Sequence, residues 1–357
     1  MRLIIILPIA HHFFGRQLCR RRVAGSGAAP GAKGPFSLGT AERGAAPRWG
    51  KRGNYNPAAT CLRSPTAMDQ SLRAALEMTG LPLLPVLLFR GMRHALRAAL
   101  RRPGRAGERP RYSQHDEEVI IADLVRRTGT SSRFCVDIGA SDGVRLSNCR
   151  RLFEEGWRGV AIEVEPTRFA GLSLAYHRLR EVALVRCAVT PANVTALLAA
   201  FDTPPSFGVL SLDIDSYDYD VLEAIWGRYR PAVVCSEFNE KMPPPVHFAV
   251  RWRPGAVYPR GAFYGCSLSA LVSLAAKYDY VLTGVEYCNA FFVPREFGLT
   301  AVSAEEAYRA GYVERAERRT LFWYNDERWL EMAPAELVQY FEREFAPYAD
   351  RFECRPR

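Results

Sequence analysis

Between Phe134 and Val293 the chain alternates short apolar runs with amphipathic stretches, and that alternation leaves few architectures open. The apolar runs fall at Phe134–Ile138, Gly159–Ile162, Ala183–Val189, Phe207–Ile214, Ala232–Ser236, Tyr280–Val285 and Ala290–Val293. Helical patterns fill most of the gaps, at Ser147–Glu155, Pro166–Arg180, Ala192–Phe201, Tyr219–Trp226 and Leu268–Tyr278. Nearly continuous apolar strands separated by helices imply a mostly parallel sheet covered on both faces. The last two runs are joined only by Tyr287-Cys288-Asn289 or so. That is too short for a right-handed crossover, so they form an antiparallel hairpin. The expectation is an α/β fold: a seven-stranded sheet, helices on both faces, and an antiparallel final pair.

The flanking regions differ in composition. Residues 1–112 hold 20 Lys+Arg against 4 Asp+Glu, and the remainder holds 28 against 34. The net charge of +10 therefore comes from the N-terminal third. Residues 1–67, rich in Gly, Ala, Pro and Arg, read as disordered. The Arg-rich start suits a mitochondrial presequence, but a true start at Met68 or Met78 accounts for it more simply. Residues 81–102 combine a proline-broken apolar stretch with a basic amphipathic helix that could lie on an anionic membrane surface, too short to span it. Residues 113–300 form the α/β domain, and 301–357 a helical, aromatic-rich appendage including Phe322, Trp323, Tyr324, Trp329, Tyr340 and Phe341. Nine cysteines occur without a CxxC pair, which argues against zinc or a disulfide framework and for a reducing, cytoplasmic setting. The mildly acidic balance of residues 113–357 disfavours nucleic acid as a partner. The oligomeric state is not legible.

The first strand ends in Asp137-Ile-Gly139-Ala-Ser141-Asp-Gly143. Gly139 and Gly143 permit a tight turn and close approach of a ligand, with small Ser141 between them. An NAD loop has apolar residues at the strand end and brings pyrophosphate onto a helix N-terminus. Here Asp137 and the G-x-x-x-G spacing suit a cationic ligand, S-adenosylmethionine, whose ammonium and sulfonium carry positive charge. Glu163 ends the second strand and can accept both ribose hydroxyls, with Glu165 as runner-up. Pro166 then turns the chain into a helix.

The fourth and fifth strands end in Asp213-Ile-Asp215 and Glu237-Phe-Asn239. Strand alternation puts each pair on one side, at the mouth of the ligand crevice. These oxygens either hold donor and acceptor directly, with Asp213 and Asp215 catalytic, or bind Mg²⁺ or another divalent cation through Asp215, Glu237 and Asn239. Lys241–Gly265 is long, proline-rich and aromatic. It reads as part of the acceptor pocket, with Lys241 or His247 as candidate general base.

Together these segments resemble the FkbM-type methyltransferases. The resemblance runs over Asp137–Gly143, Gly156-Trp157-Arg158-Gly159 into Ile162-Glu163, Leu212-Asp213-Ile214-Asp215, Pro231–Asn239, Tyr264–Leu271 and Asn289–Val293. It implies a Rossmann-like class I fold, S-adenosylmethionine as donor, and O-methylation of a sugar or other small-molecule hydroxyl. The family commonly has Glu-Gly where Asp215-Ser216 stands, which leaves the acceptor side and any metal open. A non-catalytic, membrane-peripheral binding module is the competing reading.

Overall fold

Five strands buried on both faces form the centre of the sheet. The computed structural model describes residues 3–5, 111–259, 261–315, 318 and 328–356. In chain order the strands of the main sheet are β1 (Leu3–Ile5), β2 (Phe134–Ile138), β3 (Arg158–Ile162), β4 (Val182–Arg186), β5 (Ser206–Leu212), β6 (Arg230–Glu237), β8 (Tyr280–Glu286) and β9 (Asn289–Pro294). Their spatial order is β1-β4-β3-β2-β5-β6-β9-β8. All pairs from β1 to β6 are parallel, whereas β6/β9 and β8/β9 are antiparallel. The fold class read from the sequence, Rossmann-like with an antiparallel final hairpin, is the one the chain adopts. The expected seven strands gain an eighth at one edge, where Leu3–Ile5 runs beside Leu184–Arg186.

The period-two pattern divides the core. Val136, Ile138, Val160, Ile162, Leu210 and Val234 face α4 (Val194–Ala200), α5 (Asp218–Trp226) and α6 (Leu268–Lys277). Cys135, Ala161, Val209, Val233 and Cys235 face α1 (Glu117–Thr128), α2 (Arg150–Glu154) and α3 (Pro166–Ala175). Fully burying a Leu, Ile or Val contributes about 1.5–3 kcal/mol, so both faces are needed. The thiols Cys135, Cys149 and Cys235 are free and buried, small apolar fillers of the second face.

From β2 the chain winds outward through β3 and β4, then returns to wind the other way through β5 and β6. The β2/β5 boundary is therefore the switch point, where parallel α/β sheets open a crevice at their carboxyl ends.

The segment after β6 departs from the expected loop. It contains β7 (His247–Val250), which pairs antiparallel with β10 (Phe352–Arg355) at the far end of the chain. Phe248 and Val250 pack with Met242, Phe263, Trp329, Leu337 and Phe341. Of the C-terminal helices, α7 (Ala304–Tyr308) packs Ala304, Ala307 and Tyr308 into the first face of the main core, while α8 (Arg328–Glu331) and α9 (Pro334–Glu344) share a third core with the insertion. The expected basic helix near 81–102 and Phe322–Tyr324 lie outside the described residues. No helix of the described residues is long and apolar enough to cross a membrane.

Candidate active site at the switch point

On the β2 side the site is made of backbone. Gly139 has φ +88°, and a Cβ there would sit 1.6 Å from the carbonyl oxygen of Asp213. Only glycine lets the β2 and β5 ends come this close. Gly143 has φ +72°, and a Cβ would fall 2.5 Å from Leu172 Cδ1 on α3. The loop is pinned by the amides of Gly139 and Ala140, both donating to the Ile162 carbonyl at 2.9 Å. Asp142 Oδ1 accepts from the amides of Val144 and Arg145. Ser141, between the glycines, takes φ +50°.

The two acids after β3 have separate jobs. Glu165 caps α3, accepting from the Arg168 amide at 2.7 Å. Glu163 is buried and accepts from the Ser141 amide at 2.9 Å and the Glu165 amide at 2.7 Å. Each oxygen keeps a lone pair for a ligand. Asp137 is also buried, and its Oδ2 has no hydrogen-bond partner. Burial pushes its carboxyl up to about 7, opposed by the Cys149 thiol and aided by the charge of Glu163. Asp137 stands two residues before Gly139, and an orphaned buried carboxylate oxygen there fits a ligand bearing a cation.

The β5/β6 side is made of side chains. β5 stops at Leu212, so Asp213 and Asp215 stand beyond the strand and meet through a turn, not through strand alternation. That turn depends on Asp215, whose φ is +55°. Asp213, Asp215 and Glu237 bring carboxylate oxygens within 4.8 Å of one another. Desolvation, then the charges of Asp215 and Asp218, push Asp213 upward. Desolvation and the charge of Asp213 push Glu237 upward too. Asp213 is open to solvent at the crevice mouth. Water there offsets part of the burial, so crowding of like charges is the firmer cause. Such a group holds a proton, a cation or a hydroxyl donor. Glu237 Oε2 is buried without a partner, which leaves it available to one. Ser216, where the FkbM-type sequences commonly have glycine, is not left-handed, so its side chain costs no backbone strain.

Three expected participants are placed elsewhere. Asn239 is fully buried, and its Nδ2 donates to the carbonyls of Ala262 and Tyr264 at 2.9 and 3.0 Å. Its Oδ1 accepts from the Lys241 amide. Asn239 therefore closes the neck of the insertion, and Asp213 takes its place in the acid trio. The chain leaves the sheet at Glu237, so alternation does not carry on to residue 239. Lys241 Nζ pairs with the buried Glu240 and donates to the Tyr264 hydroxyl at 3.3 Å. An ammonium held this way has no lone pair to accept a proton. His247 opens β7, with its ring edge-on to Tyr219 and its Nε2 3.9 Å from Glu353. Burial and then Arg355 push its pKa down. Its neighbours are not the crevice acids.

The sequence reading passed over Asp218, Glu240 and Tyr264. Tyr264 donates to Glu240, and Tyr308 donates to the Glu240 carbonyl at 2.6 Å. Asp218 had a visible signal, a third acid in Asp213-x-Asp-x-x-Asp at a helix start.

No family model matches the chain, and no curated protein matches it. Among the solved structures that resemble it are several methyltransferases. One is an S-adenosylmethionine-dependent methyltransferase from Clostridium acetobutylicum, 9% identical, covering 52% of this chain and 92% of that one, with TM-score 0.34. A second is magnesium protoporphyrin IX methyltransferase from Synechocystis with bound SAM, 10% identical, covering 51% and 79%, TM-score 0.33. A third is the N-terminal domain of EvdMO1 in the presence of SAH and D-fucose, 12% identical, covering 57% and 94%, TM-score 0.35. Identity and overlap this low carry no residue's role from one chain to another.

Proposed function

We propose that the chain is an S-adenosylmethionine-dependent methyltransferase acting on a hydroxyl of an uncharged small molecule. One observation carries the reading. The orphaned Asp137 oxygen, the glycine turn and Glu163 line one side of the switch point, and a trio of carboxylates lines the other.

When bound, S-adenosylmethionine supplies an electrophilic methyl on a sulfonium. Asp137 would offset its positive charge, Gly139 and Gly143 would let it approach the backbone, and Glu163 would accept from its ribose hydroxyls. In this reading Glu237 Oε2 would accept the proton of the reacting hydroxyl, and Asp213 and Asp215 would orient the acceptor by accepting from its neighbouring hydroxyls. Rate gain then comes mainly from alignment. A crevice of carboxylates without a bound cation repels anionic acceptors, which disfavours phosphorylated substrates and nucleic acid. The same trio fits a hard divalent cation of the Mg²⁺ class, which favours clustered carboxylate oxygens and would lower the hydroxyl pKa.

The test is incubation with methyl-labelled donor and a panel of neutral polyols, phenols and sugars, with and without Mg²⁺. Transfer to at least one neutral hydroxyl compound, abolished in Asp213→Asn, is expected. Donor binding with no transfer to any of them would instead favour a non-catalytic module.

A further inference from the structure

The acid trio exists only because the loop between β5 and α5 takes an unusual path, and one buried side chain holds it there. Asp218, the first residue of α5, is fully buried. Its Oδ1 accepts from the Ile214 amide at 2.9 Å and its Oδ2 from the Ser216 amide at 3.0 Å. These are the amides on either side of Asp215. With both neighbours tied to one carboxylate, Asp215 is forced to be the apex of the turn, in the left-handed region at φ +55°. Non-glycine residues adopt that region rarely and only where the surroundings dictate it.

We propose that Asp218 is a positioning residue that builds the acceptor site by clamping the Asp215 turn. This rests on the reading of the trio as the acceptor side of a methyltransferase. Asp218 touches neither donor nor acceptor and acts through Asp215.

The rest of the loop is fixed from outside, so the freedom that remains is concentrated at Asp215. The Asp213 amide donates to the Ile138 carbonyl at 3.0 Å, tying the loop's start to the glycine turn. The Tyr217 hydroxyl donates to the Val189 carbonyl at 3.1 Å. The Gly265 amide, at the neck of the insertion, donates to the Ser216 carbonyl at 2.6 Å. Asp218 is the group that links these anchors across the turn. The clamp is also electrically costly, since Asp218 faces the charge of Asp215 that it positions. A carboxylate kept buried beside a second one, accepting two backbone amides, is a poor choice for stability alone. Placing Asp215 within reach of Asp213 and Glu237 accounts for it.

The experiment is a pair of crystal structures, Asp218→Ala and Asp218→Asn, with S-adenosylhomocysteine calorimetry and turnover on the same samples. In Asp218→Ala, Asp215 should leave the left-handed region and its carboxylate should leave the trio. In Asp218→Asn, one amide bond survives, so the displacement should be smaller and turnover partly rescued. S-adenosylhomocysteine affinity should stay within about threefold of wild type in both, while kcat falls at least tenfold in Asp218→Ala. Asp215 unmoved in Asp218→Ala would overturn the proposal. If that variant does not fold, an unmoved Asp215 with unimpaired kcat in Asp218→Asn would do so. If wild-type protein fails to bind S-adenosylhomocysteine, the methyltransferase reading falls, and the position of Asp215 still decides whether Asp218 clamps the turn.

Discussion

The two sides of the switch point are built from different materials. The β2/β3 side is backbone: two glycines with positive φ, amides bonded to the Ile162 carbonyl, and Glu163 held by the amides of Ser141 and Glu165. The β5/β6 side is side chain: three carboxylates that repel one another and are held together by Asp218 and by the neck of the insertion. A backbone-built half tolerates changes in surrounding side chains but not in its glycines. A carboxylate-built half is the reverse, open to substitution in structure and intolerant of it in chemistry.

The largest expected effect breaks the first half. Gly139→Ala puts a Cβ against the Asp213 carbonyl at a φ that alanine avoids. Destabilisation of about 3 kcal/mol or more is expected, on the order of 10 °C in Tm, together with loss of donor binding. A thermal melt beside calorimetry checks it. The second half should respond in the opposite manner. Asp213→Asn removes a repelling charge, so stability is held or raised, while methyl transfer falls by roughly 10²-fold or more. Single-turnover assays at matched donor saturation would expose any failure of that split.

Acidity sharpens the contrast further. Asp137 at about 7 and Asp218 at about 6 both lie above the ordinary value of 3.8. Between pH 4 and 7 the folded chain therefore binds more protons at these sites than the unfolded chain does. Their contribution to stability is full below pH 4 and is lost as pH rises through 6 and 7. Urea midpoints at pH 5 and pH 8 should show this decline, and it should be shallower in Asp137→Asn. If Mg²⁺ binds the trio, the ion should raise the midpoint at pH 8 more than at pH 5. The smallest effect is expected away from both halves. His247→Ala should leave turnover within about threefold of wild type below the melting transition, because its ring packs in the small sheet against Tyr219. A loss approaching that of Asp213→Asn would return His247 to the chemistry.

The same difference in materials decides what the sequence could reveal. The tight turn at Gly139 and Gly143 and the place of Glu163 just after β3 are legible because strand ends, glycines and a following Pro166 fix them locally. The antiparallel final pair is legible for a similar reason, since the short Tyr287–Asn289 connection forces a hairpin. Asn239 was misread because the alternation rule ends where the chain leaves β6. His247 and β10 were misread because their pairing joins residues more than a hundred positions apart, and proline richness concealed β7. The alternation Phe352-Glu-Cys-Arg355 did carry a period-two signal for β10. Asp218 was visible as a residue, but its hydrogen bonds to Ile214 and Ser216 were not.

Titration calorimetry of S-adenosylmethionine, and of NAD as control, into wild-type protein and Glu163→Ala tests the central claim most directly. Saturable one-to-one binding of S-adenosylmethionine is expected, with none of NAD. Affinity should drop roughly 10- to 100-fold in Glu163→Ala, the loss of a charge-assisted pair of hydrogen bonds. No binding by folded wild-type protein, or equal affinity in Glu163→Ala, would contradict the account.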